Sequence, residues 1–174
     1  FEKTVVEIVY PFLEKIGILW LTNNITPAQE HFISHLIRQK MIVAIDSLPL
    51  PPKTSKRAVL YLPENELHEL GLLFYHYIAK KEGFRTYYLG QTVPYKDLKY
   101  VVEYHKPDLI ITSLTSGPSP HAMQGYLNRL STDFASVRIL VSGYALKKAK
   151  LEPLPNIDTF TNALTLRDLI VSLK

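Results

Sequence analysis

The sequence predicts a helical bundle segment followed by a doubly wound α/β domain with a five-stranded parallel sheet. Two observations carry the prediction. Residues 2–46 hold their apolar side chains at helical spacing with no strand alternation. From residue 54 onward, short runs rich in β-branched and aromatic residues alternate with amphipathic stretches, the pattern of a parallel sheet covered on both faces. Between the two stands Leu48-Pro49-Leu50-Pro51-Pro52. Proline has no amide donor and restricts the residue before it, so no helix continues through this run. It reads as a linker between a helical segment, 1–50, and an α/β domain, 54–174.

In the helical segment Val5, Ile8, Val9, Phe12, Leu13, Ile16, Leu19 and Trp20 recur at helical spacing, and Pro11 predicts a kink or a break between two helices. Thr26-Pro27 is a helix start, with a capping hydroxyl and a proline at the first helical position, and it opens a helix over 27–45. In the α/β domain strands are predicted at 58–62, 86–89, 109–114, 138–142 and 159–161. Helices are predicted at 69–82, 95–105, 120–134 and 164–172, with a short helical turn around 145–150. Topology rules favour the order 2-1-3-4-5, in which a ligand sits outside the carboxyl ends of the strands.

Composition excludes several classes. With 174 residues, 47% of them apolar and 21% charged, the chain is globular rather than disordered. The apolar stretches 16–21 and 70–75 fall well short of the roughly 18 residues of a membrane span. The absence of cysteine excludes disulfides, thiolate metal sites and cysteine nucleophiles, and the cytoplasm is the expected compartment. The net charge of +4 comes from scattered basic residues without interleaved aromatics, so this segment is not expected to be a nucleic-acid surface. Because it starts at Phe1, the chain is read as a fragment of something longer. There is no dinucleotide Gly-x-Gly-x-x-Gly run and no Gly-x-Ser-x-Gly elbow, so no enzyme of those types is expected. Gly117-Pro118-Ser119-Pro120 lacks the lysine and glycine spacing of a P-loop and reads as a proline-rich helix start.

The loop after the first strand carries the chemistry. Glu66-Leu67-His68-Glu69-Leu70-Gly71 places an imidazole at a strand's carboxyl end. A carboxylate two residues before a histidine can accept from one ring nitrogen, fixing the tautomer and raising the basicity of the other. Glu66 is therefore expected to orient His68, which by itself could equally be a surface residue or a helix cap. His31 and His35, four apart on one helix, have no third ligand at metal spacing. His76 and His105 read as exposed helix residues, and His121 as a first-turn residue.

Three separated elements resemble a known signature. Glu66-x-His68-x-x-Gly71 is similar to the cobalamin-binding motif Asp-x-His-x-x-Gly; with 41 residues intervening comes Ser113-Leu114-Thr115, and with 26 more comes Ser142-Gly143. These resemble the family's Ser-x-Leu and Gly-Gly elements, with Glu66 for Asp, Thr115 for Leu and Ser142 for the first Gly. Trp20 followed after nine residues by Glu30-His31 resembles a further motif, that of the light-sensing, adenosylcobalamin-binding transcriptional regulators of the MerR type. His68-Glu69-Leu70-Gly71-Leu72-Leu73-Phe74 and Tyr88-Leu89-Gly90-Gln91-Thr92-Val93-Pro94 are worded like that family too.

The resemblance implies a flavodoxin-like, Rossmann-like cobalamin-binding fold and a set of roles. His68 would replace the cofactor's own benzimidazole as lower ligand to cobalt. Small residues at the ends of the third and fourth strands, Ser113, Ser142 and Gly143, would leave a slot between the strand ends for the nucleotide tail, with Leu114, Thr115 and Gly71 the other signature positions around the cofactor. The helical segment would cap the upper face, with Trp20, Glu30 and His31 around the adenosyl group. The residue after that tryptophan, a cobalt-trapping histidine in photoreceptors of this type, is here Leu21, which cannot ligate a metal. Trapping by water or by His35, or a sensor that works without light, are the alternatives. The implied function is a non-catalytic sensor that couples cofactor to self-assembly as a dimer or tetramer, and to DNA binding through an amino-terminal helix-turn-helix domain not present in this chain. The alternatives are a corrinoid carrier of a methyltransferase system and a signalling domain that has lost its cofactor.

Overall fold

The computed structural model describes residues 1–22, 24–116 and 119–173, and of Trp20, Leu21 and Lys148 the backbone alone. Two compact units divide the chain, Phe1–Leu48 and Pro49–Lys174.

The first unit is entirely helical. It runs through α1 (Glu2–Thr4), a π-helical turn (Val5–Val9) and α2 (Tyr10–Leu21), and then α3 (Pro27–Asp46). Pro11 therefore does not separate two helices. The amide of Tyr10 donates to Val5 O, five residues back. In a regular α-helix the ring of Pro11 would press on the carbonyl four residues earlier, and the wide turn immediately before it relieves that clash. The start of α3 is the predicted one. Thr26 N–H donates to Gln29 Oε1 at 2.9 Å and Gln29 N–H to the Thr26 hydroxyl at 3.3 Å, a complete capping box with Pro27 in the first turn.

The second unit is a parallel sheet in the order β2-β1-β3-β4-β5, as topology rules predict. Its strands are β1 (Arg57–Pro63), β2 (Arg85–Val93), β3 (Leu109–Ser113), β4 (Arg138–Ser142) and β5 (Ile157–Thr159). The helices are α4 (Glu69–Lys81), α5 (Tyr95–His105), α6 (Pro120–Asp133) and α7 (Ala163–Ser172), and a 3-10 turn follows β4 at Tyr144–Lys148. The fifth strand starts two residues before its predicted position. Buried Asn156 donates to the carbonyls of Phe134 and Val137 at 3.0 Å, and its own carbonyl accepts from Ile139 N–H at 2.8 Å, so pairing with β4 begins at Ile157.

Strand alternation divides the core. Val59, Tyr61, Ile110, Ile139 and Val141 point to the face covered by Leu98 and Val102 of α5 and by Met123, Leu127 and Leu130 of α6. The intervening residues, including Leu60, Leu62, Ile111, Ser113, Leu140 and Ser142, point to the opposite face, where α4 packs against β1, β3 and α7. Two histidines read as exposed are not. His76 is largely buried, stacked on Tyr88 at 5.0 Å with Nε2 at 2.9 Å from the Thr86 hydroxyl. His105 is half-buried and stacked on Tyr87 at 3.9 Å. Placing each on a helix does not tell that bulky residues of the edge strand β2, Tyr88 and Tyr87, cover them. Among the described residues no helix is long and apolar enough to cross a membrane.

Candidate functional site

The loops after β1, β3 and β4 meet at the carboxyl end of the sheet. The β1 loop turns through Asn65, at φ 67°, and delivers Glu66 and then His68, the residue that precedes the first turn of α4. Glu66 is only 4% exposed. Its Oε1 lies 2.5 Å from His68 Nδ1 and accepts the His68 amide at 3.1 Å. Its Oε2 accepts the amides of Thr115 and Ser116, both at 2.7 Å. One carboxylate thus orients the imidazole and ties the β1 loop to the β3 loop.

Burial acts to raise the Glu66 pKa, but the hydrogen bonds from the His68 ring and from the amides of Ser116, His68 and Thr115 outweigh it and hold the carboxyl at about 2. An ionised carboxylate only accepts, so Nδ1 carries the proton that Glu66 accepts. The His68 side chain is 58% exposed, with its ring outside the protein core. Ser116, whose hydroxyl is 3.1 Å from Nδ1, completes the set. Sequence reading missed Ser116, since its amide and hydroxyl act through chain geometry. It also missed Glu69, which accepts from the Tyr88 hydroxyl at 2.9 Å, and Gln91, whose amide donates to Leu67 O at 2.6 Å. These two contacts fasten the β1 loop and the start of α4 to β2.

The ends of β3 and β4 lie against one another. Ser113 and Ser142 are register partners, both buried. Leu114 N–H donates to Ser142 O at 2.7 Å and Ala145 N–H to Leu114 O at 3.1 Å. Gly143 has φ 120°, and a Cβ there would fall 2.2 Å from Leu114 O. Glycine is required at this position for both reasons. The side chain of Tyr75 lies between Gly71 and the end of β4, with its hydroxyl donating to Ser142 Oγ at 3.2 Å and its ring edge-on to Phe160 at 4.9 Å.

On the other face of the sheet a pocket of about 260 Å³ is lined by Pro63, Glu64, Asn65, Val93, Tyr95, Leu114, Met123 and Tyr126. In the helical unit, Glu30 Oε2 and His31 Nδ1 are 2.9 Å apart, and the rings of His31 and His35 are 6.3 Å apart. The side chains of Trp20 and Leu21, and residues Gly117 and Pro118 of the proline-rich run, lie outside the described residues. Among the described residues no group of three or more His, Cys, Asp or Glu side chains could hold a metal ion. A single oriented imidazole does suit a cofactor that brings a metal with its other ligands already in place.

The fold is the Rossmann-like α/β fold found in solved cobalamin-binding and corrinoid proteins. The Methanosarcina barkeri monomethylamine corrinoid protein superposes with a TM-score of 0.71 at 17% identity, over 92% of this chain and 78% of that one. A cobalamin-binding protein from Desulfitobacterium hafniense DCB-2 superposes at 0.56, also at 17% identity, over 93% and 78%. A B12 binding domain model matches residues 1–44. In sequence the chain is a relative of two Myxococcus xanthus proteins, as its motifs implied. It is 32% identical to the HTH-type transcriptional repressor CarH over 124 residues, 71% of this chain and 41% of that protein. With the HTH-type transcriptional repressor CarA it shares 28% over 138 residues, 79% and 46%. The chain spans less than half the length of either repressor.

Proposed function

We propose that this chain is the cobalamin-binding sensor part of a transcriptional regulator, with His68 as the lower ligand to cobalt. The observation that carries the reading is the buried carboxylate of Glu66, which fixes the proton on Nδ1 of His68 while its second oxygen holds the Thr115 and Ser116 amides. A histidine oriented in this way is a metal ligand already in its binding geometry. Gly71, Ser113, Leu114, Thr115, Ser142 and Gly143 are the proposed surroundings of the cofactor's lower side. Trp20, Glu30 and His31, on the helical segment 1–50, are the proposed contacts of an adenosyl group. When bound, adenosylcobalamin supplies a cobalt–carbon bond that light can break. With Leu21 beside Trp20, a light response in this protein needs a trap other than a neighbouring histidine.

Relationship to two repressors supports a regulatory role, in which cofactor binding shifts self-association, to a dimer or tetramer, and through it DNA binding by a helix-turn-helix domain outside this chain. The cytoplasm is the compartment this role requires. The fold shared with the monomethylamine corrinoid protein favours the second reading, a corrinoid carrier. The deciding experiment mixes the protein with adenosylcobalamin in darkness, desalts it, and records spectra and size-exclusion profiles before and after illumination. Retained cofactor with a change in assembly supports the sensor, and retained cofactor without one supports the carrier. Retention unchanged in affinity and spectrum in His68→Ala would overturn the ligand assignment.

A further inference from the structure

Tyr75 lies one helical turn beyond Gly71, so both residues present the same face of α4 to the sheet. Beneath that face are Ser113 and Ser142, paired in register on adjacent strands and pointing the same way. The Tyr75 ring bridges this space. It is 9% exposed, its hydroxyl donates to Ser142 Oγ at 3.2 Å, and that same hydroxyl lies 3.7 Å from where a Cβ on Gly71 would be. Phe160 meets the ring edge-on from β5's end. Glycine on the helix and two serines on the strands make room, and a phenol takes it.

This room is the one that the proposed function assigns to a nucleotide tail, and the following inference rests on that reading. A planar base and the Tyr75 ring cannot both occupy it. For the tail to enter, Tyr75 must leave its rotamer, give up its bond to Ser142 and its contact with Phe160, and find a new place for a buried aromatic ring. A corrinoid without the lower base makes no such demand, because it brings no group into this space, and His68 stands outside it with its side chain 58% exposed. We infer that Tyr75 is a specificity-determining residue that must be displaced for complete cobalamin but not for corrinoids whose nucleotide loop is short or absent, so that it lowers the preference of the lower site for the complete cofactor.

The test is a titration of this protein, in darkness, with adenosylcobalamin and with adenosylcobinamide, which has the same ring and upper ligand but no lower base. It compares the native chain with Tyr75→Ala and with Tyr75→Leu, a smaller change that keeps apolar volume against Phe160 and removes the phenol end facing Gly71. The expected result is that Tyr75→Ala tightens adenosylcobalamin by about tenfold or more while adenosylcobinamide stays within about twofold. The unchanged cobinamide affinity also reports that the fold and His68 are intact. Where Tyr75→Ala does not fold, Tyr75→Leu carries the test with a smaller shift in the same direction. If both corrinoids bind and their affinity ratio is the same in all folded variants, Tyr75 does not select, and the binding reading stands without it. If neither binds to any of the proteins, the binding reading itself is overturned.

Discussion

The loop that carries His68 and the slot beneath α4 stand side by side at the carboxyl end of the sheet, and they are held by different forces. The loop is fixed by charge: one buried carboxylate accepts two bonds on each oxygen, binding an exposed imidazole to two strands' worth of backbone. The slot is held by shape, with an aromatic ring seated among a glycine, Ser142 and Phe160, and a single neutral hydrogen bond at its end. A charge-assisted network in low dielectric resists opening. A ring with one neutral anchor can change rotamer. The loop is therefore preorganised, while the slot must be remodelled before anything enters it.

The largest test of the comparison is Gly143→Ala, which strikes the seam shared by both regions. Alanine would have to adopt φ 120° with its methyl 2.2 Å from Leu114 O, so the β3 and β4 loops must separate. We expect a loss of about 4 kcal/mol or failure to fold, measured by urea denaturation. Glu66→Ala comes next and is confined to the loop. It strands the Thr115 and Ser116 amides and releases His68, with an expected cost of about 3 kcal/mol. Hydrogen exchange should show the β1 and β3 loops opening while α4 remains protected. Loss of protection along α4 in this variant would mean that the two regions form one cooperative unit, and the comparison would collapse.

How far each region was legible in the sequence follows from the same physics. Glu66 and His68 are close in sequence, so their pairing could be read from spacing, and the strand order followed from the alternation of strands and helices. Thr115 and Ser116 meet Glu66 across about fifty residues, and they do so through backbone amides that every residue type possesses. The signature marks Thr115 as a position, but no sequence pattern marks either amide as a partner of Glu66. Ser113, Ser142 and Gly143 could be read as a slot because small residues at strand ends leave space. What fills the space depends on how α4 is rotated over the sheet, and Tyr75 read simply as part of an apolar helix face. The π-helical turn before Pro11 was hidden for a related reason, since proline forbids a regular helix at that point without choosing between a break and a widened turn.

The smallest expected effect separates the two regions by pH. His76 follows Tyr75 on α4 and pins the helix to β2 through Tyr88 and Thr86. Burial, and then the nearby charge of Lys80, lower its pKa from 6.5 to about 4, so it stays neutral in the folded protein. Between these two values the unfolded chain takes up the proton and the folded chain does not. Stability is therefore full above pH 6.5 and falls by about 2 kcal/mol by pH 5. Glu66 has the opposite chemistry and a different window: its contribution is complete above its ordinary value of 4.5 and is lost only as the pH falls toward about 2. Acidification from pH 7 to 5 should thus loosen α4, with the ring of Tyr75 on it, before it touches the His68 loop. Hydrogen exchange at the two pH values, on the native chain and on His76→Gln, checks this. The variant should show a flatter stability curve across the window, and equal loosening of loop and helix in the native chain would show that they do not respond separately.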